Sequence, residues 1–199
     1  MSANYRRNFK MEKSKKLLIL QASPRKNGNL YKMAESLSEK YRVKGFETET
    51  VDVCALNFHR CIACMKCRSC GECIFKDDAD LVGQKIQEAD VIAVASPVWW
   101  GNMPGHLKSL FDRNVFRFMG ESKYGIPVPL LKGKKGIILT ACTTPFPFNW
   151  LCGQTGGLKK SINEIFKSSG IKLVKVISRP GTKKVGTSKN FSFYQVPKC

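Results

Sequence analysis

Acidic residues and histidine are scarce in this chain: 15 Asp and Glu stand against 34 Lys and Arg, and only 2 His occur in 199 residues, for a formal charge of +19. Neither His59 nor His106 has a Ser or Cys partner in a triad-like motif, so triad hydrolysis is not expected, and His106 reads as a capping or surface residue. No apolar run approaches the roughly 18 residues that cross a bilayer; residues 17–20 and 91–100 are short and bounded by turn formers, so no membrane span is expected. The N-terminal segment is polar and basic (Arg6, Arg7, Lys10, Lys13, Lys15, Lys16) and the apolar stretch behind it runs into Ser23-Pro24, so it does not read as a secretion signal and a cytoplasmic address is expected. The sequence carries no internal repeat and no low-complexity linker, nor a helix-turn-helix, ribonucleoprotein or zinc-finger pattern that would turn the basic charge into a nucleic-acid reading. Also missing are the Gly-Lys-Ser/Thr loop of nucleotide hydrolases and the three-glycine dinucleotide fingerprint.

A composition of 43% hydrophobic and 25% charged residues is an ordinary globular balance, and without a composition break the chain reads as one domain over 16–180, a basic tail over 1–15 and a second tail over 181–199. Residues 16–23 form a short apolar run that suits a buried parallel strand. Helical spacing follows in Leu30, Met33, Ala34 and Leu37, with Gly45 as its stop. Residues 47–54 alternate as an edge strand. Asp77, Asp78 and Asp80 can cap a helix over 79–89, ahead of an apolar strand over 90–95. Pro104 suits the start of a helix carrying Leu107, Leu110 and Phe111, and residues 122–135 read as a surface excursion rich in Gly and Pro. A strand over 136–140, a helix over 158–167 and a last strand over 171–178 complete an alternating order that predicts a parallel sheet with helices on both faces.

In such sheets ligands sit beyond the carboxyl ends of the strands. The loop at 23–30 (Ser23, Arg25, Asn27, Gly28, Asn29) precedes a helix N-terminus, where free N–H groups and the helix dipole attract phosphate. The loop at 97–102 sets Trp99 and Trp100 beside Gly101 and Asn102, offering flat walls and close backbone approach to a planar ring; the competing reading places both tryptophans in the core or an interface. Phosphate loop and ring loop together suggest a mononucleotide with a large ring, FMN. Thr140, Thr143 and Thr144 are candidates to close that site from a third loop at 141–150, against the alternative of a plain Thr-rich turn. Five of the nine cysteines fall within residues 61–73, and such spacing on a tight loop can build a thiolate cage for a soft metal or an iron–sulfur cluster. A structural zinc site is the competing metal, and cysteines with no metal at all are the bland reading.

Ser-Pro-Arg-Lys-Asn-Gly-Asn, then Cys-x2-Cys-x2-Cys-x5-Cys followed by Asp77-Asp78, then Ser-Pro-Val-Trp-Trp-Gly-Asn-Met-Pro-Gly, together resemble the flavodoxin-like NAD(P)H-dependent FMN reductases, and within them most the iron–sulfur flavoproteins, over about residues 15–175. The resemblance implies a flavodoxin-like, doubly wound five-stranded parallel sheet of order 2-1-3-4-5 with the cysteine-rich loop after strand 2. It also implies FMN as cofactor, NAD(P)H as co-substrate, and a homodimer or homotetramer with the flavin at a subunit interface. Ser23, Arg25, Asn27, Gly28, Asn29 and Leu30 would then hold the phosphate, and Pro97, Val98, Trp99, Trp100, Gly101 and Asn102 would line the ring. Cys61, Cys64, Cys67 and Cys73 would ligate a 4Fe-4S cluster, while the additional Cys70 leaves the fourth ligand open. Cys54, Cys142, Cys152 and Cys199 read as ordinary thiols.

The expected function is an FMN-dependent oxidoreductase taking electrons from NAD(P)H or a ferredoxin-like donor to a small-molecule acceptor such as a quinone, a flavin, oxygen or peroxide, or a metal ion. Its chemistry resides on FMN, with no obligatory acid–base side chain. The basic charge suits encounter with an acidic ferredoxin-like protein or an anionic dinucleotide. The alternatives are a cluster-free reductase, a non-catalytic electron carrier or redox sensor, and a nucleic-acid binder with a zinc-loaded cysteine loop.

Overall fold

The structure is a computed structural model and describes residues 14–182; the expected tails therefore lie almost wholly outside the described residues. In chain order the elements are β1 (Lys16–Gln21), α1 (Asn29–Arg42), β2 (Glu47–Asp52), a 3-10 turn (Val53–Ala55), α2 (Lys66–Cys70), α3 (Asp78–Glu88) and β3 (Val91–Pro97). There follow α4 (Gly105–Arg113), α5 (Val115–Phe118), β4 (Met119–Glu121), β5 (Pro127–Pro129), β6 (Lys135–Ala141), α6 (Phe148–Leu151), α7 (Gly156–Ser169) and β7 (Lys172–Arg179). The main sheet has the order β2-β1-β3-β6-β7, every pair parallel, which is the 2-1-3-4-5 order of the flavodoxin-like fold; β4 and β5 make a separate antiparallel pair.

Periodicity of two divides the strands between two cores. Leu18, Leu20, Ile92, Val94 and Ile138 pack with Val82 and Ile86 of α3, Leu107 and Leu110 of α4, and Leu158, Ile162 and Phe166 of α7. Leu17, Ile19, Val91, Ala93, Ile137 and Leu139 face Leu30, Met33, Ala34 and Leu37 of α1. β1 and β3 are buried almost end to end, as apolar runs in a sheet covered on both faces must be, whereas β2 at the edge keeps only Val51 buried.

β2 stops at Asp52, two residues short of the expectation, because the Asp52 side chain accepts a hydrogen bond from the Cys54 amide and turns the chain into the 3-10 segment. The excursion at 122–135 contains part of a small hairpin, β4–β5. α7 approaches β6 closely enough that a Cβ at Gly136 would stand 2.4 Å from the Phe166 ring, itself fully buried. Gly136→Ala is expected to lower stability by about 1–3 kcal/mol through overpacking, read as a shift in the urea midpoint; an unchanged midpoint would mean that α7 does not pack this tightly.

Candidate active site at the carboxyl edge of the sheet

The chain leaves β1 through residues 22–28. Ser23 is buried and its Oγ accepts from the Arg25 amide at 3.4 Å; Gly28 donates to the Arg25 carbonyl at 2.9 Å and leads into α1 in an extended conformation. No side chain caps α1, and its first turn holds no acid. A 14-residue helix thus presents its N-terminal amides and positive dipole end beside the exposed Arg25 and Lys26. A Cβ at Gly28 would stand 3.0 Å from the Arg25 carbonyl oxygen and 3.2 Å from the Arg25 Cβ, so a larger residue there would press on the turn. Asn27 is exposed, Asn29 half-buried and Leu30 buried in the core.

The ring loop is a two-residue turn: the Trp99 amide donates to the Asn102 carbonyl and the Asn102 amide to that of Trp99, both at 2.9 Å, with Trp100 (φ 51) and Gly101 (φ 76) left-handed. That is the geometry of a type I′ turn, which favours Asn and Gly and puts a tryptophan at a conformational cost. Asn102 Oδ1 accepts from the Met103 amide at 2.8 Å. Pro97 and Val98 are half-buried, Trp99 is 46% exposed and Trp100 stands wholly in solvent, so neither tryptophan belongs to the core. The turn is braced from behind by α7: the Leu158 amide donates to the Gly101 carbonyl at 2.8 Å, and a Cβ at Gly157 would come within 2.4 Å of that oxygen.

The third loop leaves β6. Thr140 pairs in register with Ser96 of β3 and Ser178 of β7, is completely buried, and its Oγ1 has no hydrogen-bond partner. Thr143 is exposed and Thr144 half-buried, its carbonyl accepting from the Gly181 amide. Exposed Phe146, Phe148 and Trp150 extend the aromatic surface beside the short α6.

The cysteine loop leaves β2 at the same edge. Its two ends are tied together by Arg113 at the end of α4, whose side chain is 2% exposed. Arg113 grips Asp77 with Nη1 on Oδ2 (2.9 Å) and Nη2 on Oδ1 (3.1 Å), and donates to the carbonyls of His59 and Phe75. His59 and Phe75 stack face to face at 4.6 Å, and the guanidinium lies 5.0 Å from the Phe75 ring centre. Asp77 also accepts from the amides of His59 and Ala79, and Asp78 from that of Asn57, so both acids fasten the loop as well as starting α3.

Within the loop Ala63, Met65 and Gly71 are left-handed, curling the chain around α2. Cys61, Cys64 and Cys70 are exposed, Cys67 and Cys73 half-buried, and all are free thiols. Burial, then the neighbouring sulfurs of Cys73, Cys61 and Cys64, push the Cys67 thiol up. The Cys70 sulfur donates to the Lys66 and Glu72 carbonyls at 3.2 and 3.3 Å. Among the described residues no three His, Cys, Asp or Glu side chains stand arranged around a metal position.

Besides Arg113 and Asp77, a second pair at this edge has no signature in the sequence. Cys54 Sγ lies 3.3 Å from His106 Nε2, and the His106 ring meets Trp99 edge-on at 6.2 Å. Burial, then Asp52, push the Cys54 thiol up. The same Asp52 accepts from the Tyr31 hydroxyl, and burial followed by that carboxylate pushes the phenol up to about 12. His106 and Cys54 are therefore partners, and their separation of 52 residues leaves no local signal.

The fold and its loaded carboxyl edge define a flavodoxin-like α/β protein. A sequence model described as NADPH-dependent FMN reductase matches residues 15–144, and the chain belongs to that family. It is 41% identical over 100 residues to an iron-sulfur flavoprotein of Methanosarcina thermophila, the match taking in 50% of this chain and 52% of that one. It is 35% identical over 114 residues to one of Archaeoglobus fulgidus, covering 57% and 48%. The chain thus spans about half the length of the curated relatives it matches. Among solved structures, an NAD(P)H:quinone oxidoreductase from Methanothermobacter marburgensis superposes with a TM-score of 0.68 at 20% identity, covering 87% of each chain. An FMN-dependent NADH-azoreductase from Bacillus anthracis in complex with FMN gives 0.68 at 16%, covering 86% of this chain and 90% of its own. Among the described residues no helix is long and apolar enough to cross a membrane.

Burial acts to raise the Asp77 carboxyl, but the Arg113 hydrogen bond, then the His59 amide, outweigh it and hold the group below its ordinary value near 3.8. Its stabilising contribution is then fully present above that ordinary value and is lost as pH falls through the lower folded one. Asp77→Ala, which strands a buried guanidinium, is expected to cost about 3–5 kcal/mol at pH 6 and to flatten the acid limb of the stability profile measured by urea unfolding; an acid limb identical to the wild type would refute this role.

Proposed function

We propose that the chain is an FMN-dependent oxidoreductase that takes electrons from NAD(P)H, or from an acidic ferredoxin-like donor, and passes them to a small-molecule acceptor. The observation carrying this reading is the meeting, at one sheet edge, of an uncapped α1 N-terminus, the tryptophan turn and a buried Thr140 hydroxyl without a partner. Each feature suits one part of FMN. The amides of α1 with Ser23, Arg25, Asn27, Gly28, Asn29 and Leu30 hold the phosphate. Pro97, Val98, Trp99, Trp100, Gly101 and Asn102 line the ring, and Thr140 and Thr143 close the site. Bound there, FMN would exchange electron pairs and single electrons; the chain's residues bind it, orient it and keep water from one side.

The proposal extends to a 4Fe-4S cluster on Cys61, Cys64, Cys67 and Cys73. Four thiols on a curled loop are the donor set such a cluster takes, and the sulfurs that bear on Cys67 are the other three of this quartet. Cys70 is assigned a different role, tying its thiol to the carbonyls around α2. A cluster-free reductase is the second reading, favoured by the lack of a preformed metal arrangement among the described residues. The exposed aromatics Trp100, Phe146, Phe148 and Trp150 support a homodimer or homotetramer in which another copy covers the ring loop. The net basic charge supports an acidic or anionic electron donor, and a cytoplasmic setting would keep the free thiols reduced.

Anaerobically purified protein is expected to oxidise NAD(P)H in the presence of a quinone or added flavin and to contain iron and sulfide. Cys67→Ser should lose the iron and Cys70→Ser should keep it. Equal iron loss in both variants would overturn the ligand set, iron-free wild type would leave the cluster-free reductase, and the absence of turnover despite bound FMN would leave only an electron carrier.

A further inference from the structure

His106, the second residue of α4, carries its ring between the 3-10 turn after β2 and the tryptophan turn. Its Nε2 lies 3.3 Å from Cys54 Sγ, and its ring meets the Trp99 indole in a T-shaped contact, the centres 6.2 Å apart and the planes at 73°. Leu107, next to His106, and Val53, next to Cys54, are both buried in the same core, so each member of the pair is held by a neighbour that is anchored.

The proton between sulfur and nitrogen has a direction. Asp52 Oδ1 accepts from the Cys54 amide and Oδ2 from the Tyr31 hydroxyl, each at 3.0 Å, which fixes a carboxylate behind the thiol. Burial, then that negative charge, favour S–H over thiolate. The thiol therefore donates, Nε2 accepts, and the neutral imidazole keeps its own proton on Nδ1. Nδ1 makes no hydrogen bond among the described residues, and the ring is only half-buried. A ring N–H with its tautomer set from behind, standing against an indole with no acceptor of its own, is a donor waiting for a ligand.

We propose that the Cys54–His106 pair is the proton source for a flat carbonyl acceptor, of the quinone class, reduced beside Trp99. The inference deepens the oxidoreductase reading above and rests on it. A quinone becomes a hydroquinone by taking up two electrons and two protons. The two electrons and one proton come from the reduced cofactor, and the second proton leaves His106 Nδ1 as the new O–H bond forms. As it leaves, the Cys54 S–H bond breaks and its proton passes to Nε2, so the imidazole stays neutral. The proton returns to sulfur when Nδ1 regains one from water, and the net donor is solvent.

Two measurements test the pair. In flavin-free protein, the ring-nitrogen NMR shifts of His106, assigned by their loss in His106→Gln, should show Nδ1 protonated and Nε2 accepting, and Cys54→Ala should abolish that preference; a wild-type ring protonated on Nε2 would overturn the donor assignment. FMN-loaded protein, reduced beforehand, is then mixed anaerobically with benzoquinone, which takes protons with its electrons, and with ferricyanide, which takes one electron and no proton. His106→Phe and His106→Gln should slow oxidation by the quinone about a hundredfold and oxidation by ferricyanide by no more than a few-fold, and both should lose the heavy-water isotope effect that wild type shows with the quinone. Equal slowing with the two acceptors, or none with either, would overturn the proton role while leaving the FMN reading in place. A wild-type chain that binds no FMN would overturn this role together with the reading on which it rests.

Discussion

Parallel pairing is the constraint on which the rest depends. Because β2, β1, β3, β6 and β7 all run the same way, every strand delivers its following loop to one edge, and the phosphate loop, cysteine loop, ring loop and third loop must meet there. Register refines the meeting. Ser96, Thr140 and Ser178 stand in one row across three strands, which sets the Thr140 hydroxyl beneath the two loops that leave β3 and β6. The loops are then stiffened from outside the sheet, the ring loop by the Leu158 amide and the cysteine loop by Arg113.

Arg113 shows how a surface loop without a core of its own can be given a fixed place. Residues between His59 and Phe75 bury little apolar surface and include two non-glycine left-handed residues, each a local cost of about 1 kcal/mol or more. Their ends are nonetheless fixed by one guanidinium that satisfies a carboxylate and two carbonyls, and by a stacked His59–Phe75 pair. α4 reaches the ring loop at its other end through His106 and Trp99, so one helix touches both the cysteine loop and the tryptophan turn. If both groups are bound as proposed, electron transfer between them needs this spacing to stay constant, and a short rigid helix supplies it.

Much of this was legible in the sequence because local patterns and the global fold agree. The runs at Leu17–Leu20 and Val91–Ala95, bounded by turn formers, suit buried strands, and the Leu30, Met33, Ala34, Leu37 spacing suits a helix with one buried face. What stayed hidden arises from contacts between distant residues or from segments without periodicity. Lys-Cys-Arg-Ser-Cys has no apolar stripe, so α2 could not be read. The strands β4 and β5 are three residues each, and β5 begins and ends in proline, which leaves no alternation to detect. Arg113 meets Asp77 across 36 residues and Cys54 meets His106 across 52, and neither pairing has a signature in the chain itself.

The most direct test of the central claim, that the edge formed by α1, the tryptophan turn and Thr140 is an FMN site, is titration of the flavin-free protein with FMN and with riboflavin, followed by quenching of flavin fluorescence. If the uncapped α1 amides and the loop around Gly28 hold the phosphate as proposed, FMN should bind stoichiometrically and riboflavin far more weakly. Equal affinity for the two, or no binding of either, would contradict the account.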